Sequence, residues 1–453
     1  MDLKEFSKRR KNLMQMIEPD GIVILPTATE KTRSNDTHYR YRPDSDFYYL
    51  TGFHEPEALA VLLPVAKGQK RAVAYKFILF CRDKDPLKET WDGRRVGPKA
   101  AIKEFGADEA YSIHKVDELL PKLIGQCERV YYTMGNDAEF DKRMIGWVNE
   151  TRGNRNLNEP HEFVSLNHYL HEMRLFKSTQ EIKVMRQSAR IAVAAHKRAM
   201  LECQPGMNEY EIEAEFDHEY KRNGATHSYT PIIAGGENAC ILHYNENDQE
   251  LKDGDLLLID AGAELDMYAS DITRTFPVNG QFSDAQKEIY DIVLAAQEAA
   301  FEEIYVGNHW LAPHEAAVKA VAKGLQKLGI LKGRLPDLIK QEAYFKFFMH
   351  KTGHWIGMDV HDVGDYKVEE QWREFEAGMV LTVEPGIYIP KGTRGVDKKY
   401  WGIGVRIEDD VLVTRKGYDI LTKGLPRTTD EVEALMAKGR AQRASLQSSK
   451  KAA

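Results

Sequence analysis

Four carboxylates of this chain stand inside or at the ends of apolar, strand-like runs, where acidic side chains are costly. In LLLIDAGAELDMYASDITRTF, Leu256 to Ile259 reads as a buried strand and YASDITRTF as its return strand after a turn near Glu264 to Met267. A tight turn centred between Leu265 and Asp266 sets Asp260 directly opposite Asp271, with Cβ atoms about 5 Å apart. Taken alone, the pair could be two surface aspartates on an exposed hairpin. A second pair removes that option. LTVEPGIYI and GIGVRIEDDVLV flank a loop rich in Gly, Lys and Pro whose middle is Val396, so Glu384 faces Glu408. Opposed like charges repel unless one is protonated or a cation sits between them, and the arrangement asks for a metal.

Between the pairs, FMHKTGHWIGMDVHD clusters His350, His354 and His361, and His243 lies in ILHYNEND. His350 and His354 have the i, i+4 spacing of a helical zinc site. Gly353 weakens such a helix, however, and Lys351 occupies the place of the general-base Glu, so that motif is rejected. A lone histidine is commonly structural, whereas four near two carboxylate pairs point to a pocket, with at least one serving the metal. An oxygen-rich ligand set suits Mn²⁺, Mg²⁺, Co²⁺ or Fe²⁺. Four negative ligands nearly neutralise two divalent cations, and two such ions acidify a shared water and polarise a carbonyl. Hydrolysis is the implied chemistry.

The elements that must position these residues fall into two parts. Up to about residue 175, apolar runs such as GIVILP, EALAVLLPV and RAVAYKFILF alternate with amphipathic segments such as KVDELLPKLIGQ, which predicts an α/β domain over 1–175. Polar and basic stretches, 150–158 and then 174–179, bracket the junction. A long helix from about Ser178 to Cys203 follows, then helices near 208–223, 285–306 and 313–328 among strand-rich stretches, an α+β pattern over 176–436. Residues 437–453 carry five basic residues and no acidic ones among Ala, Ser and Gln, and read as a frayed tail.

With 453 residues, 42% hydrophobic and 29% charged, the chain can bury two substantial cores. A net charge of −7 disfavours a general nucleic-acid binder. No run approaches the roughly 18 apolar residues of a membrane span, and the N-terminus lacks the pattern of a secretory signal. Four widely spaced cysteines without CxxC spacing suit a reducing, cytoplasmic setting and exclude a cysteine zinc site.

The order Asp260, Asp271, His354, Glu384, Glu408 resembles the pita-bread metallopeptidases, which include methionine aminopeptidase, prolidase, creatinase and aminopeptidase P. The aminopeptidase P group is the nearest. DSDFYYLTGFHEPEALAVLL, WDGRRVG, VHDVG, VEPGIYI and GVRIEDD extend the resemblance over almost the whole chain. It implies a pita-bread catalytic domain of the creatinase and methionine-aminopeptidase type, and two divalent ions, with Mn²⁺ expected. Asp260 would chelate one ion, Asp271 and Glu408 would bridge both, and His354 and Glu384 would complete the other. Glu384 would also take the proton of the attacking water. His243 and His361 would handle the scissile carbonyl and shuttle protons to the leaving group.

His350, Tyr388 and Arg406 would line the pocket for the proline ring. Tyr388 could instead be a plain strand aromatic, and Arg406 could pair with Asp409 or Asp410 at the surface. Trp91 would reach a neighbouring subunit's site in a dimer or tetramer, or be a core tryptophan. One of Arg152 and Arg155 would approach the site. The implied activity is removal of an N-terminal residue that precedes proline in a peptide. Prolidase, which takes dipeptides, is the runner-up. Glu384 follows His354 by 30 residues and Glu408 follows Glu384 by 24, too close for the insertions prolidases often carry. A metal-free creatinase is excluded by the intact ligands, and a non-catalytic binding protein of this fold is disfavoured by them.

Overall fold

The computed structural model describes residues 1–65, 75–152, 154 and 157–452, from 446 onward as backbone alone. It divides into two compact units, Met1–Met173 and Arg174–Ala453. The boundary between them, 173/174, lies two residues before the junction expected at 175/176.

The first unit is built on a mixed six-stranded sheet. Its strands run in the order Glu109–Ser112, Tyr75–Cys81, Leu59–Pro64, Gly21–Pro26, Arg129–Tyr131, Glu162–Val164. Gly21–Pro26 pairs antiparallel with Leu59–Pro64 and parallel with Arg129–Tyr131, so the apolar runs read from the sequence form its centre. Ile22, Ile24, Val61 and Phe80 pack with Leu120 of the helix Val116–Ile124 and Trp147 of the helix Ala138–Arg152.

In the second unit, the helix Thr179–Glu202 begins on a capping box made by Ser178 and Glu181, and Glu209–Arg222 on one made by Asn208 and Glu211. The helices Asp284–Glu302 and Ala312–Lys327 follow, the former stopping four residues short of the predicted end. Their apolar faces pack on the strands that carry the acidic residues: Val293, Ala296 and Val321 share one core with Leu381, Val383, Ile387 and Ile407.

The tail prediction is corrected. Residues 429–452 form one helix, Thr429–Ala452, that buries Val432 and Met436. Two of its basic residues are used: Arg443 donates to the carbonyls of Leu201 and Cys203 at the end of the helix Thr179–Glu202, and Arg440 to that of Asn279. A basic composition alone does not reveal that acceptors from distant segments await it.

Candidate active site

Each carboxylate pair is placed by a strand register. In the second pair the expectation holds. Val380–Val383 pairs with Asp409–Thr414 (Val383 opposite Asp409), and Gly386–Ile389 pairs with Ile403–Arg406 (Gly386 opposite Arg406). Both ladders share one register, and Glu384 and Glu408 stand opposite each other in the gap between them.

The first pair needs a correction. Leu256–Asp260 pairs with Thr273–Pro277 so that Asp260 faces Thr273, not Asp271. The turn lies one residue later than predicted, at Asp266 and Met267. Both have positive φ, 48° and 71°, and they close a short hairpin between Ala263–Leu265 and Tyr268–Ala269. The return strand is also interrupted at 270–272, where the Asp271 N–H bonds Asp410 Oδ2 at 3.1 Å. An offset of two residues keeps both aspartates on the same face, because side chains alternate with period two. Tyr229 confirms their proximity: its hydroxyl lies 2.5 Å from Asp260 Oδ1 and 2.5 Å from Asp271 Oδ1.

The histidine segment is not a helix. Gly353 lets it pass close to strand Val380–Val383, since a Cβ there would lie 2.0 Å from the Thr382 carbonyl oxygen. His354 is thereby held by its backbone, its N–H bonding Thr382 Oγ1 at 3.1 Å. Its Nδ1 is 3.0 Å from the Trp355 carbonyl, which turns Nε2 toward Asp271 Oδ2 at 3.4 Å and Glu384 Oε1 at 3.8 Å. Asp271, His354 and Glu408 offer ligand atoms within 4.8 Å of one another.

One cavity of about 520 Å³ is lined by all five expected ligands together with His243, His350, His361, Arg406 and Tyr229. Arg406 is buried, which excludes its surface pairing. It donates to Asp260 Oδ2 at 2.6 Å, to Thr273 Oγ1 at 3.1 Å and to the Tyr388 hydroxyl at 2.9 Å. Asp409 is taken by Arg274 at 2.8 Å, with Thr422 and Gln297 as further donors.

Tyr388 is no mere strand aromatic. Accepting from Arg406, it is free to donate to His350 Nε2 at 2.9 Å, while His350 Nδ1 faces the Lys351 carbonyl at 2.7 Å. Burial and then Arg406 hold His350 down to about 4, so its ring is neutral, as an acceptor must be.

Trp91 lies in the first unit on the short helix Pro86–Asp92. It is 88% exposed, which rules out a core role. Arg152 pairs with Glu159 in the same unit, and Arg155 lies outside the described residues.

The electrostatics show which charge the cavity suits. Burial, then repulsion from Asp271, Glu384 and Asp260, pushes the Glu408 carboxyl well above its ordinary range. Burial raises Glu384 to about 7, and raises Asp260 despite Arg406. Asp271 is the exception: burial works upward, but hydrogen bonds from His354 and Tyr229 bring it below normal. Burial opposes charge on His354, yet Asp271 and Glu384 raise it to about 9. Carboxylates that cling to protons in this way are short of positive charge, and their oxygen-rich set with one imidazole fits divalent cations. The supporting donors are in place: Tyr229, whose single hydroxyl proton is within reach of either aspartate, Thr273 on Glu408 at 2.6 Å, Arg406 on Asp260. None of Tyr229, Thr273 or Asp410 stands out in the sequence, because an isolated hydroxyl or a third acid in EDD has no periodic or spacing signal.

Fold and site together define a metal-dependent peptidase with a pita-bread catalytic unit. Residues 183–415 match metallopeptidase family M24, and residues 6–131 match the aminopeptidase P N-terminal domain. The chain is 45% identical over 442 residues to the Xaa-Pro aminopeptidase of Escherichia coli, covering 97% of this chain and 99% of that one. It is 34% identical to Xaa-Pro aminopeptidase 3 of Rattus norvegicus, covering 96% and 86%. Its structure matches that of Pseudomonas aeruginosa aminopeptidase PepP with a TM-score of 0.94 at 51% identity, covering 97% and 99%. The chain belongs to metallopeptidase family M24, in its aminopeptidase P group.

Proposed function

We propose that this enzyme hydrolyses the bond between the N-terminal residue of a peptide and a proline in second position, using two divalent cations, manganese by preference. The observation that carries the reading is the meeting of both carboxylate pairs and His354 on one cavity wall. Asp260 would hold one ion, Asp271 and Glu408 both, and His354 with Glu384 the other. The ions supply Lewis acidity toward the scissile carbonyl and toward water.

The chain's own residues do the rest. Glu384 takes the proton of the attacking water. His243 and His361, on the same cavity, position the carbonyl and return a proton to the leaving proline nitrogen, a strongly basic secondary amine that cannot depart without one. The hydrogen-bonded chain of buried Arg406 and Tyr388 with half-buried His350 forms a stiff wall for the proline ring. An X-Pro bond has no amide hydrogen, so ring shape must be read instead.

The 88% exposed Trp91 and 80% exposed Leu87, one turn apart, fit a homo-oligomer, dimer or tetramer, in which Trp91 serves a neighbouring site. The free cysteines Cys81, Cys127, Cys203 and Cys240 fit a cytoplasmic enzyme, and among the described residues no helix is long and apolar enough to cross a membrane. With Mn²⁺ added, Arg-Pro-Pro is expected to be cleaved well and Gly-Pro poorly; preference for the dipeptide would make the enzyme a prolidase instead.

A further inference from the structure

The basic junction at 174–179 has no part in the chemistry described above, yet it ends in a buried ion cluster beside a pocket histidine. Arg174 Nη2 donates to Asp362 Oδ1 at 2.6 Å and to Asp359 Oδ2 at 2.7 Å, and Lys177 Nζ donates to Asp362 Oδ2 at 3.0 Å. The side chains of Arg174, Lys177 and Asp362 are only 3%, 1% and 1% exposed. Burying three charges is expensive and seldom stabilises a fold more than apolar packing would. The cluster is seated tightly: a Cβ on Gly357 would lie 2.1 Å from Asp362 Oδ2 and 2.8 Å from Lys177 Cε. The Asp362 N–H bonds the Trp355 carbonyl at 2.9 Å, tying the loop back to the segment that carries His354.

His361 immediately precedes Asp362 and lines the active cavity. Its ring lies 4.4 Å from that of His354, edge to face, and among the described residues no hydrogen bond holds it. Its aim is therefore set by its backbone, and its backbone by Asp362. We infer that Asp362, clamped by Lys177 and Arg174, is a positioning residue that aims His361 at the leaving group. This rests on the role given to His361 above.

The test is a double-mutant cycle on the full-length, Mn²⁺-loaded enzyme with Arg-Pro-Pro, with metal content and thermal midpoint measured on every variant. Misaiming a proton donor by about 1 Å costs up to roughly 100-fold in rate. Asp362→Asn is expected to lower kcat by about 10-fold or more with KM nearly unchanged and metal retained. In the His361→Ala background the same change is expected to cost less than about 2-fold, because its effect passes through the missing ring. Lys177→Met, which leaves the Arg174 bond intact, is the milder variant should Asp362→Asn not fold, and Lys177→Arg is expected to restore activity. Losses that multiply across the cycle, or a wild-type kcat in both Asp362→Asn and Lys177→Met, overturn the inference. A wild-type kcat in His361→Ala alone overturns the role of His361 itself, a distinct failure.

Discussion

Loading the metal-free enzyme with divalent cations should release protons, and the structure sets how many. Without cations, His354 sits at about 9, Glu384 at about 7 and Glu408 well above the carboxylate range. All three must be deprotonated to serve as ligands. At pH 7, His354 holds about one proton and Glu384 about half of one, and whatever Glu408 holds adds to these, so loading expels at least about 1.5 in total. Titration calorimetry with Mn²⁺ in two buffers of different ionisation enthalpy reads the number directly. Release of about 1.5 protons also requires the apparent association constant to rise by at least about 30-fold from pH 6 to pH 7. Release below about half a proton, or affinity flat over that interval, would refute the view that the cavity is a set of cation-starved carboxylates.

Tyr229→Phe removes the hydroxyl shared by Asp260 and Asp271 and should weaken metal binding by about 10-fold or more, read by calorimetry; unchanged affinity would make Tyr229 a packing residue only. Arg406→Met leaves Asp260 without its buried partner and should cost roughly 3 kcal/mol in metal-free protein, seen as a lower urea midpoint; a midpoint equal to wild type would show that Asp260 takes up a proton at no cost. Burial pushes Asp362 up, but Lys177 and then Arg174 outweigh it and hold its carboxyl below the usual range. Its stabilisation is therefore complete above the unfolded value near 3.8 and lost as pH falls below it. Urea midpoints measured from pH 6 down to pH 3 should drop less steeply in Asp362→Asn than in wild type, and parallel curves would contradict this.

Much of the site was legible in the sequence because strands are governed by a period of two and by the turn between them. The loop centred on Val396 set Glu384 opposite Glu408, since both flanking ladders run in the same register through the gap. At the first hairpin the turn position was off by one residue. That moved the partner of Asp260 by two, from Asp271 to Thr273, without turning either side chain to the other face. Helix ends at Ser178 and Asn208 were readable for a similar local reason, since a cap and its Glu lie three residues apart.

What only the tertiary structure decided involves partners far apart in the chain. Tyr229 reaches across 42 residues to Asp271, Arg406 across 146 to Asp260, and Arg174 across 188 to Asp362. The helix Thr429–Ala452, whose part from 437 onward was read from composition as a frayed tail, is held by the ends of segments more than 150 residues earlier. Local pattern specifies which face a residue occupies, because that is a matter of backbone period. Which buried charge meets which donor depends on how separate elements close on one another, and no spacing along the chain encodes it.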